Sequence, residues 1–396
     1  AQTQTIGGVL SIQGNSTSRV RLLSQTAATW NISISGAQAI AYVEVKDSEV
    51  LGSADITATF ALNSGNNDDA AASPQWVFAG TVYYWTGATD TAWTTTTNWS
   101  PVSGVGGPAA GDSAIIQNVT NQPVLTAPVI IDDLTIYTGA EMDLNGQSLT
   151  VSAAFSNDGT LKLQGSETTT FTGGFDSDSG AVEYYGGAGY ASLSAGNTYY
   201  SLAFNGTGTW TLAGAISVSN SLTALNSEIL VFNGTVNTPS LVMNKTGGTA
   251  TFNNNLTVTI GLATAATNFS LAFNGGTTTI DGNSNFTNTG TVTLGDNPGD
   301  SINFLGDIFT SGAPATVFGT SLSAGGNQIY SGNITLNTDV VLSTGNRDII
   351  FNGTVNAAVA GVQSLTIDAG TGSVYFNAAV GTTAALNSLD LIGSEI

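Results

Sequence analysis

The segment Asn226 to Val236 reads NSEILVFNGTV, and its echoes run down the second half of the chain. Related phrases are LAFNG (Leu202 to Gly206), LAFNGG (Leu271 to Gly276), INFLGD (Ile302 to Asp307), IIFNGTV (Ile349 to Val355) and VYFNAAV (Val374 to Val380). An apolar β-former on alternate positions, followed by Asn-Gly and repeated every few tens of residues, marks stacked coils in which each turn packs on the last. Phe204, Phe232, Phe252, Phe273, Phe304, Phe351 and Phe376 are expected in comparable places in one interior stack. Asn and Thr beside them would form ladders, and the Asn-Gly pairs would be corners at positive φ. With strands about 4.8 Å apart, roughly sixteen to twenty coils would make a rod on the order of 80 to 95 Å long.

Composition supports an all-β chain. Its 396 residues include 49 Gly and 8 Pro, and only 8% are charged, so the usual surface fillers of helices are scarce. Six Lys and Arg against 27 Asp and Glu give a net charge of −21, which repels a polyphosphate and excludes nucleic acid as a partner. The absence of Cys and His removes disulfides, thiolate sites, Ser-His-Asp catalysis and the commonest general base. No apolar run is long enough for a membrane-spanning helix, so membrane insertion is not expected. The start AQTQTIGG, without Met, reads as a chain from which a leader has been removed or which was cut from something longer.

Period-two strands fill the first eighty residues: GVLSIQG (Gly8 to Gly14), RVRLLSQ (Arg19 to Gln25), WNISISG (Trp30 to Gly36) and AIAYVEVKDSEV (Ala39 to Val50). A polar loop, NSGNNDDAAAS (Asn63 to Ser73), closes this section. From Thr81 the texture changes, with three of the six Trp residues and two Pro within about thirty-five positions, and strands resume at Val129. The expected organisation is therefore the terminal coils of a β-helix over 1–80, a Trp/Pro-rich cap or linker over 81–128, and a β-helix repeat domain over 129–396. The fold class is all-β, a right-handed parallel β-helix in two segments.

The stretch YYWTGATDTAW, NWSP and GDSAII resembles a segment that opens β-helix domains in very large secreted bacterial surface proteins, with matching positions Trp85, Gly87, Trp93, Asn98, Trp99 and Asp112. SLTIDAGTGSVYFNAAVG (Ser364 to Gly381) is similar to repeats of haemagglutinin-like and autotransporter-passenger-like adhesins. The resemblance implies an extracellular or cell-surface setting and a structural or adhesive role without cofactor. Its implied partners are further copies of the chain, surface glycans or a host receptor.

Several constellations have a functional and a bland reading. Trp85, Trp93 and Trp99 with Tyr83 and Tyr84, or Tyr184, Tyr185, Tyr199 and Tyr200, would form a sugar-stacking platform if exposed; the favoured alternative for the Trp residues is a plug for the end of a β-helix. Asp132 and Asp133 are adjacent, so on a strand they point to opposite faces and do not pair as acid and base. Arg347 and Asp348 read as an ion pair in a turn. NNDD (Asn66 to Asp69), DSDSG (Asp176 to Gly180) and GDNPGD (Gly295 to Asp300) offer calcium-type oxygens without EF-hand spacing and read as solvated loops. Twelve Asn-x-Ser/Thr sequons between Asn15 and Asn352 barely exceed chance in so Ser/Thr-rich a chain. No catalytic, cofactor or metal residue is assigned. A non-enzymatic rod is expected, with a carbohydrate-binding or polysaccharide-cleaving β-helix as the alternative. Finally, Ser394-Glu395-Ile396 repeats Ser227-Glu228-Ile229, so the last coil is expected to stop before its own core Phe, leaving an open strand.

Overall fold

A computed structural model describes residues 3–15, 18–25, 28–69, 74–226, 228–312 and 315–395. Ser227 and Ile396, on which the Ser-Glu-Ile echo rests, and residues 70–73 of the polar loop lie outside the described residues. The chain is all-β, a parallel β-solenoid of about 17 turns. Among the described residues the only helical turn is Thr96–Asn98. Strands are short because each must end at a corner, and period-two alternation sends one set of side chains inward and the other to solvent.

By contacts the chain divides into two compact units: Ala1–Leu161 with Thr168–Asp176, and Lys162–Glu167 with Ser177–Ile396. In the first unit, three parallel sheets build the opening coils. Thr3–Ile6, Trp30–Ile34 and Ser48–Val50 form one; Leu10–Gln13, Gln38–Ala41, Ile56–Thr59 and Trp76–Ala79 the second; Val20–Leu23, Val43–Lys46 and Leu62–Asn63 the third. Ile32, Ile34, Ile40, Val43, Val45, Val50 and Ile56 fill the space between them, and the Trp76 indole closes it, donating to Ser48 Oγ at 2.9 Å. At one corner Tyr42 and Phe60 both take left-handed backbone, with φ of 51° for each, and their rings stack at 5.1 Å. A new sheet begins at Val82–Trp85, which pairs parallel with Ser113–Ile116 and antiparallel with Trp99–Ser100.

In the second unit, one side of the coil is a stack of parallel strands from Gly189–Tyr190 to Val355–Ala357. The opposite side begins as long strands, Thr198–Phe204, Ile216–Ala224, Val236–Met243 and Leu256–Thr264, whose register shifts near Ser201, Ser221 and Ser240. Such irregularities bend a strand. After Leu256–Thr264 the bend becomes a corner. One track continues through Thr277–Ile280 and Ser301–Phe304, the other through Ser284–Asn285, Ile308–Thr310, Gln328–Tyr330, Ile349–Phe351 and Val374–Phe376. Two-sided coils thus become three-sided without a break in the hydrogen-bond ladder.

The Phe-Asn-Gly phrase has a different meaning from the one expected. Its Phe residues do not share one column. Phe232, Phe252 and Phe273 are in register with one another, and Phe351 with Phe376, but Phe204 aligns with Tyr184 and Ala224, and Phe304 with Ile280 and Ala324. The phrase is a corner signal that occurs on more than one side of the coil. Within a column the rings stack closely, 4.8 Å for Phe232 and Phe252 and 4.9 Å for Phe351 and Phe376. Each such pair adds roughly 0.5–1.5 kcal/mol to the burial of its area.

The Asn side chains form the expected ladder: Asn253 Nδ2 donates to Asn233 Oδ1 at 2.9 Å, Asn274 to Asn253 at 3.2 Å and Asn377 to Asn352 at 2.8 Å. The following glycine is not at positive φ, except in the separate turn at Asn145 and Gly146. Close approach demands it instead. A Cβ on Gly234 would sit 2.1 Å from Gly214 O, and one on Gly353 2.2 Å from Gly332 O. At these positions the corner lies so tightly on the one beneath that only a hydrogen fits.

Candidate functional site

The tryptophan segment is a packed structural knot, and burial removes its three Trp residues from any sugar platform. Tyr83 and Tyr84 stay half-buried, Tyr83 edge-on to Trp99 and the Tyr84 hydroxyl accepting from Arg19. Trp85, Trp93 and Trp99 are all buried, and Trp99 meets Trp85 and Trp93 edge-on at 5.0 and 4.6 Å. Each of the matched motif positions has a local task. Asn98 is buried, and its Oδ1 accepts from the backbone of Thr89 and Asp90 while Nδ2 donates to Asp90 and Ala92. The Ala92 N–H, donating to Asp90 Oδ1, and then the Asn98 amide hold the Asp90 carboxyl below the usual range. The Trp85 indole donates to Asn121 O, and Gly87, at φ 56°, leaves no room for a Cβ against that same carbonyl. Asp112 accepts from Thr81 N and Ala109 N. Trp99–Ser100 stands at the edge of its sheet, paired with Val82–Trp85 beside this cluster.

The tyrosine platform separates likewise. Tyr184 and Tyr199 are buried with their hydroxyls 3.2 Å apart, and burial raises both above the ordinary phenol range. Tyr185 and Tyr200 remain half-exposed, Tyr185 beneath the Lys162 ammonium. Asp133 is buried and accepts from Ser113 Oγ, Ala154 N and the Tyr42 hydroxyl, whereas half-exposed Asp132 faces Gly111 N. Arg347 and Asp348 form no ion pair, contrary to expectation. Asp348 instead accepts from Ser373 N at 2.8 Å in the next coil, and the Arg347 backbone closes a turn with Thr344. Asp300 accepts from Asp296 N and Asn297 N, and Asn67 from Ser48 N, so these loop oxygens tie backbone down. Among the described residues no three acidic side chains converge on a common point.

One constellation escapes sequence reading altogether. Lys245 and Glu228, seventeen positions apart, are both fully buried at a corner of the second unit, with Lys245 Nζ 3.0 Å from Glu228 Oε1 and 2.6 Å from Glu228 O. Burial lowers the Lys245 ammonium from its usual value, and Glu228 opposes that shift. The only sequence signal is the rarity of cations in a chain with six.

The outward face of the second track carries a surface with both apolar and hydrogen-bonding groups. In register along it stand Asn285, Phe309, Ile329, Ile350 and Tyr375, with Phe309 40% and Tyr375 37% exposed. Beside them runs a ladder in which each side-chain oxygen receives the next coil's N–H: Asn283 from Asp307 at 3.0 Å, Asp307 from Asn327 at 2.7 Å, Asn327 from Asp348 at 3.1 Å. Between stripe and ladder lies a groove of about 360 Å³ lined by Asn283, Asn285, Asp307, Phe309, Asn327 and Ile329.

No protein-family model, curated protein or solved structure matches the chain. Among the described residues no helix is long and apolar enough to cross a membrane.

Proposed function

We propose that this solenoid is a non-enzymatic, structural or adhesive part of a secreted bacterial surface protein or extracellular filament, acting with further copies of itself or with more of a longer chain. The observation that carries the reading is how the repeated phrase is spent. Phe fills the core, Asn bonds to the Asn of the next coil, and Gly permits the contact between corners, so the recurring residues serve coil-to-coil cohesion. A continuous backbone ladder with a matching side-chain ladder resists extension and proteolysis. A sparsely charged, Ser/Thr-rich exterior with excess acid suits a protein that must stay dispersed outside the cell.

Antibody labelling of intact and permeabilised producing cells tests the setting. Label on intact cells, or protein in the medium, is expected, together with weaker attachment of cells lacking the gene. Signal confined to permeabilised cells would overturn the reading.

A further inference from the structure

We propose that the groove beside Phe309 binds a neutral, unbranched glycan, with one sugar ring stacked on Phe309 and its hydroxyls held by the flanking amides. The inference deepens the adhesive reading and rests on it for the setting in which such a ligand is met.

The lining determines the ligand class. Phe309 offers a ring and Ile329 an apolar floor; a pyranose has an apolar face that suits both. Asn283 and Asn327 use their side-chain oxygens within the ladder, and Asn285 Oδ1 accepts from Ser311 Oγ. Among the described residues the Nδ2 groups of all three find no partner, so three donors stand around the groove. Asp307 commits Oδ1 to Asn327 N and keeps Oδ2 as an acceptor. Donors and an acceptor around an apolar floor complement a polyol, whose hydroxyls both give and take.

Other occupants fit less well. The Asp307 carboxylate and a net charge of −21 repel uronates and sialylated or sulfated chains. An extended peptide binds by adding its backbone to an open sheet edge, but the strand Ile308–Thr310 is paired on both sides, with Ser284–Asn285 and Gln328–Tyr330. This face therefore offers side chains only. Its repeat of about 4.8 Å per coil is on the order of one sugar ring, and the stripe continues through Ile350 to Tyr375, so a longer chain would lie along the stack.

The test is titration of the purified chain with linear neutral gluco-, manno- and galacto-oligosaccharides of increasing length, alongside Phe309→Ala, Asn283→Ala and Tyr375→Ala. Val359→Ala, at an exposed apolar position off the stripe, serves as control. Thermal melts and circular dichroism report folding. The expected result is binding to at least one neutral series, weakened roughly tenfold by Phe309→Ala. Asn283→Ala should weaken it too, Tyr375→Ala should matter only for longer oligomers, and the control should bind as the parent does. Absence of binding by the folded parent, binding indifferent to Phe309→Ala, or preference for acidic glycans would overturn the inference. Self-association lost in Phe309→Ala would do so as well, making a second copy the occupant. None of these outcomes alters the cell-labelling result, so failure of the groove and failure of the surface setting are distinguishable.

Discussion

A single hydrogen decides the corners at Gly234 and Gly353. Replacing Gly234 by Ala forces a methyl to within 2.1 Å of Gly214 O, a backbone atom that cannot rotate away. Gly234→Ala should lower stability by about 1–3 kcal/mol, the usual range for overpacking, seen as an earlier thermal transition. Gly345 has open space where its Cβ would be, so Gly345→Ala should leave the melt within about 0.5 kcal/mol of the parent. Equal effects would refute the close-approach account. Asn253 both donates to Asn233 and accepts from Asn274, so Asn253→Ala breaks two rungs. Because the ladder is exposed, the expected loss is only about 1 kcal/mol, measured by denaturant titration.

At the scale of the element, the buried Lys245–Glu228 pair makes the sharpest forecast. Lys245→Met leaves Glu228 buried without its partner and should cost about 3–5 kcal/mol, while the double variant Lys245→Met, Glu228→Leu should regain most of it. Chemical denaturation of the three proteins checks this, and a double variant no better than the single one would contradict it. The pair also shows where sequence reading stops. Period-two alternation is local, so strands such as Trp30–Ile34 and the all-β class could be read directly. Stacking is not local. Glu228 and Lys245 meet because Lys245 falls three positions before the point one coil on from Glu228, and that offset is set by the corner between them rather than by any local pattern. For the same reason the phrases around Phe204, Phe232 and Phe304 looked equivalent yet lie on different sides. Exposure was equally hidden: Trp85, Trp93 and Trp99 have the composition of a sugar platform, and only their mutual packing at 4.6 to 5.0 Å removes them from solvent. Phe309, by contrast, sits in a phrase without Asn-Gly, where nothing local marks it as exposed.

Over the whole molecule, titration is dominated by buried phenols. Burial raises Tyr42, Tyr184, Tyr199 and Tyr330 above the ordinary value near 10, with the Asp133 contact adding to the effect on Tyr42. Below that pH both folded and unfolded chains keep these protons, and the linkage is silent. Above it the unfolded chain ionises first, so stability falls as pH rises through and beyond about 10. Lys245 works in the other direction. Its lowered value means that the unfolded state holds the extra proton between that value and 10.5, so its contribution rises with pH in that window. Four phenols outweigh one amine, and a net loss of stability is expected. Thermal melts from pH 8 to 12, followed by tyrosinate absorbance, should show the transition moving down above about pH 10 and buried tyrosines ionising together with unfolding. Gradual ionisation well before the melt would contradict the burial.

A repetitive stack must also be counted correctly as it forms. Phe232, Phe252 and Phe273 present nearly the same surface from one turn to the next, so a chain that skipped a turn would lose little there. Among the described residues no second ion pair is fully buried as Lys245 and Glu228 are. A slip of one turn would part them and strand two charges in an apolar interior, at several kcal/mol each. The pair is an index mark in an otherwise self-similar scaffold, and the folded order of turns can be checked against it.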